Sequence, residues 1–173
     1  MWPFRRRPGI TAEGLFSAWF RPVVPEGFPS LEAFEAAMGA DERERLKKTL
    51  GKLALDGVER IYQVRRHDLE PGREGLVFLD RLLDAEMRVK LTRDQDPAYP
   101  RNLLRVVGTE FGCIVGEIYV RAGKGEWLPH RAPNLWRSRL KLRAGEYDPF
   151  RAVVRQLSDD RAPEALVRRF DAA

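Results

Sequence analysis

The segment from Arg101 to Arg121 constrains this chain most. Leu104, Val107, Phe111, Ile114, Val115 and Ile118 recur at helical spacing and form one broad apolar stripe. Gly108, Gly112 and Gly116 repeat every four residues beside it. A glycine inside a helix costs about 1 kcal/mol relative to alanine, so three of them need a compensating contact. Rows at i, i+4 are the ridges and grooves of helix packing. A groove without side chains predicts that another backbone approaches closely here, in the core of the same domain, in preference to a ligand or a dimer partner. Arg101, Arg105, Glu110 and Glu117 make the helix too polar for the membrane dimers that use similar spacing.

Shorter elements are predicted on either side. Thr11 caps a helix carrying Leu15, Phe16, Trp19 and Phe20, and the prolines between Arg21 and Pro29 make a loop. Ser30 caps a second helix, with Gly39 as its left-handed C-terminal residue. Asp41 and Glu44 resemble a capping box that starts a third, which Asp56-Gly57 stops. Ile61, Tyr62 and Val64 then favour a strand over Val58–Arg66. Pro71-Gly72 is a break, a single helix follows from Glu74 to Val89, and Thr92–Pro100 is a polar loop.

Beyond the central helix, Gly123-Lys124-Gly125 marks its end and Glu126–Leu128 reads as a short strand. Leu135–Arg143 alternates with period two, as a strand with one wet face does. Asp148-Pro149 opens another helix, and a last one begins near Pro163. The expected fold is α+β and mostly helical. Its helices pack around the long glycine-grooved one, with a small antiparallel sheet or hairpin near the C-terminus. Residues 1–10 form a basic arm and 11–173 a single domain.

Composition narrows the classes. The chain of 173 residues is 43% hydrophobic and 33% charged, with a net charge of only +5, which suits a solvated globular domain and not a disordered one. Arginine supplies 25 of the 31 basic residues, and its planar fork suits carboxylate and phosphate. Cys113 is the only cysteine, so no intramolecular disulfide forms and a reducing cytoplasm is the expected compartment. No apolar run is long enough for a signal peptide or a membrane span. The Trp2, Phe4 and Arg5 to Arg7 arm could touch an anionic membrane only weakly, so stable insertion is not expected.

Catalytic and metal chemistry find little support. His67 and His130 stand far apart and lack the spacing of metal ligands, so neither a metal nor another cofactor is expected. Cys113 falls in mid-helix, away from a helix N-terminus that would activate it. No phosphate-binding loop, dinucleotide fingerprint or nucleophile elbow occurs. Glu110 and Glu117 share one face of the central helix and would serve an enzyme only if a pocket lay beside them; Asp80 and Asp84 stand no better.

One signal points outward. Arg137, Arg139, Lys141 and Arg143 take the wet face of the alternating strand, about 6.5–7 Å apart at successive positions. That face suits an acidic protein partner. It could also track nucleic-acid phosphates, with Trp127 and Trp136 as nearby aromatics.

Gly112 to Gly116-Glu117, Gly125-Glu126-Trp127 and Pro149-Phe150 give the stretch from Leu103 to Leu157 a resemblance to a bacterial domain family of unknown function. That family has a glycine-bearing helix, a Gly-x-Trp turn into a small sheet, and a Pro-Phe helix. The resemblance implies an α+β bacterial protein with no assigned catalysis. The expected function is a non-enzymatic binding module, of adaptor, regulator or immunity type, for an acidic protein partner. Nucleic-acid binding is the alternative, and a small enzyme using Glu110 or Glu117 the third reading.

Overall fold

The computed structural model describes residues 9–93 and 103–173. Residues 1–8, which hold Trp2, Phe4 and Arg5 to Arg7 of the expected arm, lie outside the described residues. So do residues 94–102 of the expected polar loop, and the side chain of Leu104. In chain order the elements are α1 (Ala12–Trp19), α2 (Leu31–Ala36), α3 (Ala40–Arg65), α4 (Arg73–Leu82), α5 (Ala85–Arg93), α6 (Leu103–Arg121), β1 (Gly125–Leu128), a 3-10 turn (Leu135–Arg137), β2 (Arg139–Leu142), β3 (Gly145–Tyr147), α7 (Pro149–Gln156) and α8 (Ala165–Asp171). The fold is α+β and mostly helical, with one antiparallel sheet of order β1-β2-β3. Among the described residues, no helix is long and apolar enough to cross a membrane.

α6 is the axis of the core. It packs most extensively against α3, then against α7, and also meets β1 and α5. Phe111, Cys113, Ile114, Val115, Ile118 and Tyr119 are all buried, so this helix is covered nearly all round instead of along a single stripe. Its end matches the expectation. Gly123 takes φ +67, its N–H donates to the Val120 carbonyl, and the Lys124 N–H donates to the Tyr119 carbonyl. This double bond pattern with a left-handed glycine closes the last turn.

The glycine row works differently from the expected backbone groove, because aromatic rings fill it. A methyl group on Gly112 would stand 2.3 Å from Phe150 Cδ1, and one on Gly116 would stand 2.0 Å from Trp127 Cζ2. Gly108 faces Phe20 less tightly, at 3.3 Å. The close approach of α3 to α6 is made instead by Gly57 of α3. A methyl group there would lie 3.0 Å from both Glu110 Cβ and Ile114 Cδ1.

This contact explains two corrections. Asp56-Gly57 does not stop α3, and Val58–Arg66 is helical up to Arg65, not a strand. Leu50, Ala54, Gly57 and Ile61 are the buried residues of α3, spaced i, i+4, i+7, i+11 along one face. The helix runs straight through because its glycine lies on the packed side, while Tyr62 and Val64 stay exposed. It stops at Arg66, whose φ is 52. Gly51, also in α3, has only ordinary contacts, with Glu117 Cδ at 3.7 Å from an added methyl group. Gly51→Ala is therefore expected to raise stability by about 0.5–1 kcal/mol, measured as a higher urea midpoint.

Three further boundaries shift. Gly39 has φ −80 and is the N-cap of α3, so it is not a left-handed terminator of α2. Asp41 lies inside the first turn of α3, and no side-chain bond caps that helix. The single helix expected over Glu74–Val89 is two, because the Asp84 side chain accepts the Met87 N–H at 2.8 Å and starts α5.

α1 docks on α7 as a separate layer. Phe16 and Phe20 stack at 4.9 Å and both meet Trp136, at 5.6 and 5.3 Å. The entry to α1 is tied down at two carboxylates. Asp159 accepts the Ile10 N–H at 2.7 Å, and Asp160 accepts the Ala12 N–H at 3.1 Å. The bond from Ile10, and then Arg88, holds the Asp159 carboxyl below its usual range; Ser158, and then Ala12, do so for Asp160. Lowered carboxyl values contribute stability that is full above the ordinary Asp range and is lost as pH falls through the folded value. Amide protection in residues 12–19 is therefore expected to drop below about pH 4, ahead of that in α6. The double replacement Asp159→Asn/Asp160→Asn should remove most of this pH dependence.

Candidate functional site

The four residues expected to share one basic face do not do so. Arg137 belongs to the 3-10 turn, before the strand begins, and its Nε is buried without a partner. Arg139 turns inward. Its Nη1 donates to the carbonyls of Arg137 at 2.6 Å and Ser138 at 3.0 Å, and its Nη2 lies 3.2 Å from Asp148 Oδ2. Burial pulls the Arg139 pKa down, with Asp148 opposing. Lys141 is exposed, but the strand register sets it opposite Glu126 on β1 and Glu146 on β3. Glu126 is also held at 2.9 Å by Lys47, which lowers its pKa. Arg143 lies past the end of β2 and is exposed. The outer face of the sheet is thus charge-balanced around Lys141. Trp127 and Trp136, considered as base-stacking aromatics, are both in the core.

The carboxylates of α6 are committed to neighbours. Glu110 is 5% exposed and takes a two-pronged bond from Arg60, Nε to Oε2 at 2.6 Å and Nη2 to Oε1 at 2.9 Å. Glu117 Oε1 accepts the indole N–H of Trp127 at 2.8 Å. Asp80 accepts the Leu166 and Val167 N–H groups and so starts α8. Its burial raises its pKa against these bonds. Cys113 is fully buried, and burial pushes its thiol up, so it stays protonated. His67 stacks flat on Phe78 at 3.9 Å, and His130 Nδ1 lies 3.1 Å from Glu35 Oε1. Among the described residues, no three His, Cys, Asp or Glu side chains are grouped as a metal would need.

A different arginine cluster emerges on the C-terminal elements. A cleft of about 430 Å³ opens between β3, α7 and α8. Arg151 and Arg155 reach it from α7, one turn apart, and Arg169 from α8. Arg151 is paired, with Glu13 and more loosely with Asp148 at 3.7 Å. Arg155 and Arg169 form no ion pair with any described carboxylate, and the Arg169 guanidinium lies 5.8 Å from the Tyr147 ring centre. Ala152, Ala165 and Leu166 supply apolar wall.

Two buried polar atoms belong to residues lining this cleft: Gln156 Nε2, which has no partner, and Tyr147 Oη, which faces the Tyr119 hydroxyl. Gln156 is 1% exposed. Burial keeps Tyr147 protonated, and the neighbouring Tyr119, whose ring centre is 5.1 Å away, is pushed up to about 12 by its own burial. In the sequence these two helices are marked only by their starts, at Asp148-Pro149 and near Pro163, so this cluster does not stand out. The i, i+4 pair Arg151 and Arg155 was the available signal, because like charges so placed repel one another in a helix. No protein-family model, no curated protein and no solved structure matches the chain.

Proposed function

We propose that the chain is a binding module for an acidic protein partner, engaged through the arginines of its C-terminal elements. The observation that carries this reading is the contrast among the arginines. Arg60, Arg73, Arg88, Arg131, Arg139 and Arg151 have carboxylate partners within the chain, whereas Arg155 and Arg169, which flank the cleft, pair with no described carboxylate. Exposed guanidinium groups free of internal partners steer and orient an acidic surface.

Titration calorimetry with hexaglutamate, against an oligothymidylate of equal length, tests this. Hexaglutamate is expected to bind at low salt and to weaken as the Debye length shrinks towards about 8 Å at physiological ionic strength. Absence of hexaglutamate binding at low salt overturns the reading, and binding of the oligonucleotide alone replaces it with nucleic-acid recognition.

A further inference from the structure

We infer that the cleft between β3, α7 and α8 seats a single carboxylate group of the partner, with the Gln156 amide as the donor at its base and Arg155 and Arg169 as its charged rim. The inference rests on the binding-module reading and narrows it to one site and one chemical group.

Buried polar atoms are almost always satisfied, so an orphaned amide N–H marks a place where a partner is missing. Gln156 is 1% exposed, lines the cleft, and has no bond at Nε2. It also borders a smaller cleft beside Asp80 and Asp84, but those carboxylates already accept the N–H groups at the starts of α8 and α5. A neutral amide donor beside two guanidinium groups suits an anion, since hydrogen bonds to a charged acceptor are the stronger kind.

The surroundings select which anion. Glu146 and Asp148 also line the cleft, and their negative charge disfavours a polyphosphate backbone or a dianion. One carboxylate brings a single charge and two oxygens. Its aliphatic stem can lie along Ala152, Ala165 and Leu166. A glutamate side chain or a peptide C-terminus both offer this chemistry.

The experiment compares hexaglutamate binding to the full chain, to Gln156→Met and to Arg155→Ser/Arg169→Ser, with amidated hexaglutamate, glutarate, inorganic phosphate and oligothymidylate as further probes. Gln156→Met should keep or raise the melting temperature, because an unsatisfied buried donor is removed. It should weaken hexaglutamate binding about tenfold, and the arginine pair should weaken it further. Glutarate should move the side-chain amide proton resonances of Gln156 in nitrogen-edited NMR spectra. Loss of binding on amidation assigns the C-terminal carboxylate, and retention assigns a side chain.

A marked loss of stability in Gln156→Met shows that the amide has an internal partner and overturns the proposal. Full-strength binding to Gln156→Met, or to the arginine variant, overturns the seat while leaving the binding-module reading in place. Preference for phosphate or the oligonucleotide overturns the carboxylate assignment. Failure of every acidic probe on the unaltered chain removes both.

Discussion

Gly116→Ala is expected to lower the stability of this protein by about 3 kcal/mol, a drop of roughly 6–12 °C in melting temperature for a domain of this size. The added methyl group would stand 2.0 Å from Cζ2 and 2.2 Å from Cη2 of Trp127. The indole cannot swing aside cheaply. It is 3% exposed, its N–H is held by Glu117 at 2.8 Å, and its ring lies 6.2 Å from that of Phe150. Against this overpacking, the gain in helix propensity is only about 1 kcal/mol. Gly112→Ala should behave similarly, because Phe150 is fully buried. Gly108→Ala is different: Phe20 at 3.3 Å needs to give by only a few tenths of an ångström, so the change should stay within about 1 kcal/mol of the unaltered chain. Equal losses at all three positions would contradict this account. Because the clash is with the six-membered ring, Trp127→Leu should remove part of it. The double variant Gly116→Ala/Trp127→Leu should therefore lose less than the sum of the single changes in chemical denaturation.

The second large effect is expected at the pair joining α3 to α6. Arg60→Met leaves the Glu110 carboxylate, 7% exposed at its side chain, without its counter-charge. Removing one partner of a buried pair costs about 3–5 kcal/mol when both ends are dry. The Arg60 side chain is 40% exposed, so water can compensate in part and about 2–3 kcal/mol is expected, read from the urea midpoint. Arg60→Met/Glu110→Met removes the stranded charge along with its partner and should recover most of that loss. A double variant no better than Arg60→Met would show that Glu110 has another role. With Glu117 bonded to Trp127, both carboxylates of the third reading are engaged in holding helices and sheet together.

The tertiary structure also gives the three short motifs behind the family resemblance a shared physical role. Gly112 and Gly116-Glu117, Gly125-Glu126-Trp127 and Pro149-Phe150 are separate segments of the chain. In the fold, Phe150 packs on Gly112, Trp127 packs on Gly116, and Glu117 accepts the Trp127 N–H. They form one packing unit, in which two glycines make room for two aromatic rings. This packing accounts for the glycines, the tryptophan and the phenylalanine of the three motifs.

What the sequence determined by itself were the features with short-range causes. The central helix that ends at Arg121, the caps at Thr11, Ser30 and Asp148, and the left-handed Gly123 depend on neighbours a turn or less away, and each stands where the residues placed it. The mostly helical α+β architecture follows from those local periods. Tertiary structure decided everything that depended on which distant group arrives. Gly57 reads as a helix stop until Glu110 and Ile114 press against it, and the glycine row reads as a backbone groove until Trp127 and Phe150 fill it. The candidate site moved for the same reason. Alternation along Leu135–Arg143 shows which side a strand residue takes, but not that Arg139 bends back onto its own main chain or that Lys141 sits between two glutamates. Two arginines became candidates only because the packing of α7, α8 and β3 left them beside a cleft without an ion pair to any described carboxylate, near a glutamine amide that the core does not satisfy.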